Sequence, residues 1–440
     1  MASYAFYAAW DWRFLSLIAF STLIDFVAGK RIASARYQRA RRRWLAVSIV
    51  SNLSLLGFFK YFNFFAVEFQ QLALVFGIEL NWTTLNIVLP VGISFFTFQT
   101  MSYTLDIYQG RLKPESSLLK YATYVAFFPQ LVAGPIERAR NLLPQFQIVQ
   151  QFTWSAFQQG ISLIIFGLFL KVVIADSLAP MVDQIFNTVP ERNGGELALG
   201  AVFFACQIYG DFCGYSTIAI GVARIMGFQL MTNFSTPYFS LSLKDFWRNW
   251  HVSLSSFFRD YVYVPLGGSR SGPLRTIRNI MISFVLSGLW HGANWTFILW
   301  GALHGTGLVF SNLLTGRMLW LSGHLRSFTG WASTMIIVLV GWVLFRSPDV
   351  GAAMEYLLSV VSNPAMPTRH LEGLYYVVLV GVIDWLWRRD VRLEFGVFKG
   401  PDNGVARHLA NSLLLALMFC TLLFYFVWNG GSNAFIYFQF

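Results

Sequence analysis

Apolar stretches close to twenty residues long recur along this chain, at about 12–29, 44–67, 155–175, 197–223, 331–346, 371–387 and 411–428. A further stretch at 276–312 is long enough to divide in two. About 20 such residues cross a bilayer as one helix. Lipid offers the backbone no hydrogen-bond partners, so each span must satisfy its own N–H and C=O groups. The fold class that follows is all-α, a polytopic transmembrane helical bundle. Composition agrees, since 12% of residues are charged and 56% hydrophobic, against about 25% charged in soluble domains. No internal repeat or low-complexity linker interrupts the pattern, so 1–440 reads as a single integral membrane domain.

The net charge of +11 sits in the loops. Lys30, Arg31, Arg36, Arg39, Arg41, Arg42 and Arg43 cluster without an acid among them, and Arg270, Arg275, Arg278, Arg388, Arg389 and Arg392 mark later loops. Basic loops between apolar runs report cytoplasmic sides, which places the N-terminus outside. The same charge therefore argues for membrane lipid and against nucleic acid as a partner. Cys206, Cys213 and Cys420 all fall inside apolar runs with no CxxC pair, so neither a metal site nor a disulfide framework is expected. The opening MASYAFYAAWDWRF lacks a basic segment followed by a cleavage site, so no removable signal peptide is expected.

Two stretches break the spanning pattern. Residues 86–108 carry Pro90 and Gly92, then scattered Ser94, Thr97, Gln99, Thr100, Ser102 and Thr104. They fit either a kinked helix with internally bonded hydroxyls or the lining of an aqueous cavity. Residues 124–146 are broken by Pro129 and Pro135 and read as a re-entrant or interfacial segment, anchored by Arg138 and Arg140. Within 197–223, Asp211 lies between Gly210 and Gly214 with no basic neighbour in sequence. A buried carboxylate must find a partner or lose its charge, so Asp211 is either a structural ion-pair member or part of a site.

The strongest chemical candidates are two histidines. From Asp245 to Tyr261, positions 247, 250, 254, 258 and 261 recur at helical spacing and predict one helix, interfacial or lining a funnel, with His251 inside it beside Trp250. His251 could anchor that helix or serve a site. His291 sits in SGLWHGANW, flanked by Trp290 and Asn294, with Gly288 and Gly292 removing bulk so that another group can approach the ring. An ionisable group at membrane depth is costly and usually functional, and a neutral imidazole can take a proton from an attacking alcohol. A packing histidine is the plain alternative. His304, on one straight helix, would point away from His291; His324, His370 and His408 lie in polar segments and read as solvated. No HExxH, GxSxG, Walker A or GxGxxG pattern is present. Sequon-like triplets at Asn81, Asn233 and Asn294 are short enough to arise by chance.

Taken together, LPVGISFFTFQTMSYTLDIYQG, FFPQLVAGPIERARNLLPQF, DFCGYSTIAIG, NFSTPYFSLSLKDFWRNWHVSLSSFFRDYVYVPLGGSR, SGLWHGANWTFILWGALHG and the terminal FIYFQF resemble the membrane-bound O-acyltransferase family. The similarity lies nearest its bacterial branch of alginate O-acetyltransferases, with a signature core at about 86–305. It departs at Cys213 and Thr217, where relatives often have Ser and Asp. Relatives also usually carry a further apolar helix ahead of SYAFYAAWDW.

The resemblance implies tilted and re-entrant helices around a central tunnel. An acyl thioester such as acetyl-CoA would enter from the cytoplasm and the acceptor from outside, with no bound cofactor and no metal. It puts the essential base at His291 and places His251 near the donor opening; Asp211, Trp250, Trp290 and Asn294 are further tunnel candidates. It implies a multi-pass enzyme of the bacterial inner membrane that O-acetylates an exported polysaccharide such as alginate, through an extracytoplasmic acyltransferase partner. D-alanyl transfer to teichoic acid from a carrier protein, and proton-coupled transport, are the rival readings.

Overall fold

A computed structural model describes residues 2–80, 84–85, 87–132, 134–270, 272–314, 323–389 and 405–429. Asn81, Arg392 and the terminal FIYFQF lie outside the described residues. The described residues are helical with no strand, and five helices are long and apolar enough to cross a membrane: Ala2–Ser34, Gln38–Val75, Trp154–Asn187, Gly194–Ile225 and Gly323–Arg346. The chain is a polytopic helical membrane protein. Many large apolar side chains are exposed along it, among them Phe65, Leu72, Phe310 and Ile336, as lipid-facing positions require. Contacts gather the residues into two compact units, Met1–Gln151 with Met226–Leu230, and Phe152–Ile225 with Met231–Phe440.

In the first unit, Leu15–Ser34, Gln38–Leu56 and Ile93–Tyr108 pack on one another. Ile93–Tyr108 begins only after Gly92, whose φ of 76° suits glycine and where a Cβ would meet the Leu131 carbonyl at 2.3 Å. Several of its hydroxyls are bonded within the protein. Thr100 and Ser102 donate to the carbonyls of Thr97 and Gln99 at 3.1 and 2.7 Å, and Thr104 and Ser48 share a bond at 2.8 Å. Of the kinked helix expected over 86–108, the internal hydroxyl bonds are present but the kink is not, because the helix starts at Ile93. Residues 124–146 form the short helices Phe128–Leu131 and Ala139–Leu142. Arg138 does not anchor this segment in water: it is 2% exposed, next to the equally buried Glu137.

In the second unit, Gly194–Ile225 is the most buried of the five long helices. It packs against Trp154–Leu168, Gly323–Arg346, Val350–Ser362 and Leu374–Arg389. Facing glycines set its approach to Trp154–Leu168. A Cβ on Gly160 would meet the Gly221 carbonyl at 2.7 Å, and one on Gly221 would meet the Gly160 carbonyl at 2.7 Å. Gly167 and Gly214 stand in the same reciprocal relation at 2.6 Å. Small residues let helix backbones touch in this way.

The predicted continuous helix over 245–261 is instead two short ones, Leu243–Asn249 and Val252–Phe258. Trp250 is extended and His251 is left-handed at φ 42°, ψ 54°. The periodicity was read correctly, but backbone pairing with residues 233–235 outcompetes helix propagation here: Val252 N–H donates to the Asn233 carbonyl, and Ser235 N–H to the Asn249 carbonyl, both at 3.0 Å. Pro273–His291 and Trp295–Leu314 are likewise separate helices, joined through extended Gly292.

Candidate active site

The second unit brings His251 and His291 to one indole. Trp290 lies 6.1 Å from the His251 ring and 5.1 Å from the His291 ring, centroid to centroid. His251 is fully buried, Trp290 is 4% exposed and His291 is 5% exposed.

His251 is fastened from behind by Asn233. The Asn233 side chain accepts the Ser253 backbone N–H at 3.2 Å and the Ser253 hydroxyl at 2.8 Å. A backbone N–H can only donate, so the atom facing it is the amide oxygen. The same oxygen lies 3.2 Å from His251 Nδ1, which must then be the protonated nitrogen. The amide nitrogen of Asn233 donates to Ser216 at 3.2 Å, completing the fit. In this neutral tautomer the lone pair is on Nε2, and Nε2 has no hydrogen-bond partner among the described residues. Phe212 stands edge-on to the ring at 4.6 Å. Neutral, buried surroundings disfavour an imidazolium.

His291 closes its helix and is walled by aromatic rings, Trp300 at 4.9 Å and Phe345 at 5.2 Å in addition to Trp290. The room made by Gly288 and Gly292 is already filled. A Cβ on Gly288 would meet the Phe297 carbonyl at 2.1 Å, and one on Gly292 the Phe297 ring at 2.0 Å. These glycines admit the next helix rather than a substrate. His304 does not point away from the site. The helix break after His291 resets its direction, and its ring meets Trp300 edge-on at 4.8 Å, so Trp300 touches both rings.

The other candidates resolve unequally. Asp211 has a partner that sequence alone does not reveal: Lys171, 2.9 Å away, which also reaches Asp176 at 2.7 Å. Lys171 points there from a π turn, Phe169–Ala175, inside the Trp154–Asn187 span. Trp250 lies deeper among rings, 4.9 Å from Trp342 and 5.7 Å from Phe246. Asn294 uses both ends of its side chain structurally, accepting from Thr296 N–H at 3.0 Å and donating to the Pro348 carbonyl at 2.6 Å. His324 is exposed, but His370 is not simply solvated, lying 3.7 Å from Glu372 and 3.4 Å from Arg192. The side chain of His408 lies outside the described residues. Sequence reasoning passed over Asn233 and Ser253 because a loop contact leaves no periodic trace.

Beyond Asn233 and Ser216 lies a mainly apolar cavity of about 380 Å³, lined also by Cys213, Thr217, Phe169 and Leu379. Thr217 turns its hydroxyl to the Cys213 carbonyl at 2.7 Å. Among the described residues no group of three His, Cys, Asp or Glu side chains could hold a metal ion.

Comparison with known proteins places this architecture. Residues 112–347 match the pattern of the membrane-bound O-acyltransferase family. A probable alginate O-acetylase of Azotobacter vinelandii is 41% identical over 82% of this chain and 71% of its own length. A peptidoglycan O-acetyltransferase of Helicobacter pylori is 33% identical over 84% of this chain and 74% of its own. A teichoic acid D-alanyltransferase of Streptococcus thermophilus is 29% identical over 50% of this chain and 56% of its own.

Proposed function

The chain belongs to the membrane-bound O-acyltransferase family and is an acyltransferase, and from that premise we propose that it moves an acetyl group across the membrane for O-acetylation of an exported polysaccharide, with the transfer step at the His251–Trp290–His291 cluster. The observation that carries the proposal is the pair of buried imidazoles that both contact Trp290. Acyl transfer needs a positioned thioester, a proton acceptor for the incoming hydroxyl and exclusion of water. As the hydroxyl oxygen bonds to the thioester carbonyl carbon, its proton passes to a neutral imidazole, which we assign to His291. The C–S bond then breaks, and the departing sulfur recovers the proton as a thiol.

The donor in this reading is acetyl-CoA or another cytoplasmic acyl thioester, and the enzyme sits in the bacterial inner membrane. An extracytoplasmic acyltransferase would receive the acyl group and pass it to the polymer. Acetyl is preferred to D-alanyl because the relatives named for acetyl transfer align over more than four-fifths of the chain, and the D-alanyl relative over half. A proton-coupled transporter would move a solute intact, so stoichiometric acyl transfer distinguishes the two.

The test is polymer O-acetylation in cells carrying His291→Ala, with membrane levels of the protein measured beside wild type. Loss of acetylation at an unchanged protein level is expected. Wild-type acetylation would make His291 a packing residue and remove the proposed base.

A further inference from the structure

His251 is held in a left-handed backbone conformation that residues other than glycine rarely adopt. The hydrogen bonds that impose it come from one residue. The Asn233 carbonyl takes the Val252 N–H at 3.0 Å, and its side-chain oxygen takes the Ser253 N–H, the Ser253 hydroxyl and His251 Nδ1. A helix cap would need only the first three of these. The fourth acts on the chemistry of the ring, because it decides which nitrogen carries the proton.

We propose that Asn233 is a positioning residue for acyl transfer, locking His251 in the tautomer that leaves the Nε2 lone pair available as a second proton acceptor beside His291. The inference rests on the acyltransfer reading above. A ring free to exchange tautomers would spend part of its time presenting an N–H at the same place, and an N–H cannot take a proton. Burial adds to the effect, and Ser216 and Ser253 hold the Asn233 amide in place by accepting from its nitrogen and donating to its oxygen.

Other titratable groups surround His251 without bonding to it. On the Gly194–Ile225 helix these are Asp211, paired with Lys171, and Cys213, whose carbonyl and thiol face Thr217. Tyr209 on the same helix donates to Asp384 of Leu374–Arg389 at 2.7 Å. On the following helices are His291 and His304, and on its own two short helices and the turn after them Lys244, Asp245, Arg248, Arg259 and Asp260. Among the described residues, only Asn233 and Ser253 hydrogen-bond to the ring.

The test combines kinetics with a direct view of the ring. Acetyl transfer by the purified protein in lipid nanodiscs is measured against pH for wild type, Asn233→Ala and Asn233→Asp. Asn233→Ala is expected to lower kcat by about 100-fold, the lower range of a proton-acceptor contribution, with less effect on KM. Asn233→Asp keeps the acceptor oxygen and should recover part of the rate. Its carboxylate favours the imidazolium, so the acid limb of its profile should move to higher pH. Nitrogen-15 NMR of histidine-labelled wild type, with the His251 signal identified by its loss in His251→Gln, should show a protonated Nδ1 and a bare Nε2. That measurement decides the matter even where a variant fails to fold. A proton on Nε2, or an Asn233→Asp profile that overlays wild type, would overturn the inference. Absence of acetyl transfer by wild type would instead count against the acyltransfer reading itself.

Discussion

Lys171 is the residue whose placement is hardest to explain without the fold. It sits in an apolar span with its side chain 15% exposed and reaches two carboxylates, Asp176 and Asp211. An unpaired charge in such a setting is far costlier than a paired one. Replacing Lys171 with Met removes the ion pair that each carboxylate makes with it and should destabilise the protein by about 3–5 kcal/mol, read as a lower thermal midpoint in detergent. Asp211→Asn leaves the Lys171–Asp176 pair and should cost clearly less; equal losses would show that the bridge to Asp176 contributes nothing. The need for an Asp211 partner was legible in the sequence, because a carboxylate among apolar residues demands one. Its identity was not, because the partner stands on another helix and is aimed by a π turn that no apolar pattern announces.

At the scale of elements, the approximate positions of the long helices follow from hydrophobic run length, but their number does not: five of the eight apolar stretches fall in helices long and apolar enough to span, among the described residues. The breaks were harder. Tryptophan and phenylalanine at helical spacing pointed to one helix through His251, yet the backbone bonds of Asn233 with Val252 and of Ser235 with Asn249 interrupt it. Glycine was similarly ambiguous. Gly288 and Gly292 invited a reading as open space around a reactive ring, whereas each, like Gly210 and Gly214, is pressed against a neighbouring helix or ring. A side chain at Gly214 would have to displace the Gly167 carbonyl. Gly214→Val should therefore destabilise by at least the roughly 1–3 kcal/mol of an overpacked core. Gly57→Ala, where nothing lies within 4 Å of the added carbon, should leave the thermal midpoint unchanged or raised by the better helix propensity of alanine. A loss at Gly57 as large as that at Gly214 would argue that close packing does not set the effect.

For the whole molecule, the net charge of +11 reports how the chain lies in its bilayer. The cluster from Lys30 to Arg43 connects the first two long helices, and by the positive-inside rule it faces the cytoplasm. A cysteine introduced at exposed Arg39, in a Cys420→Ser background, should resist an impermeant maleimide in intact spheroplasts and react in inverted vesicles; the opposite pattern would reverse the orientation. The paired glycines of the second unit carry a mechanical consequence. Each pair seats backbone on backbone, and the two pairs lie about two turns apart, so the helices have a single register. Sliding by one turn would drive Ile164 or Ile218 into a carbonyl. The two helices thus behave as a fixed rail, and any rearrangement near His251 falls to side chains and neighbouring elements and not to a sliding stroke of this pair.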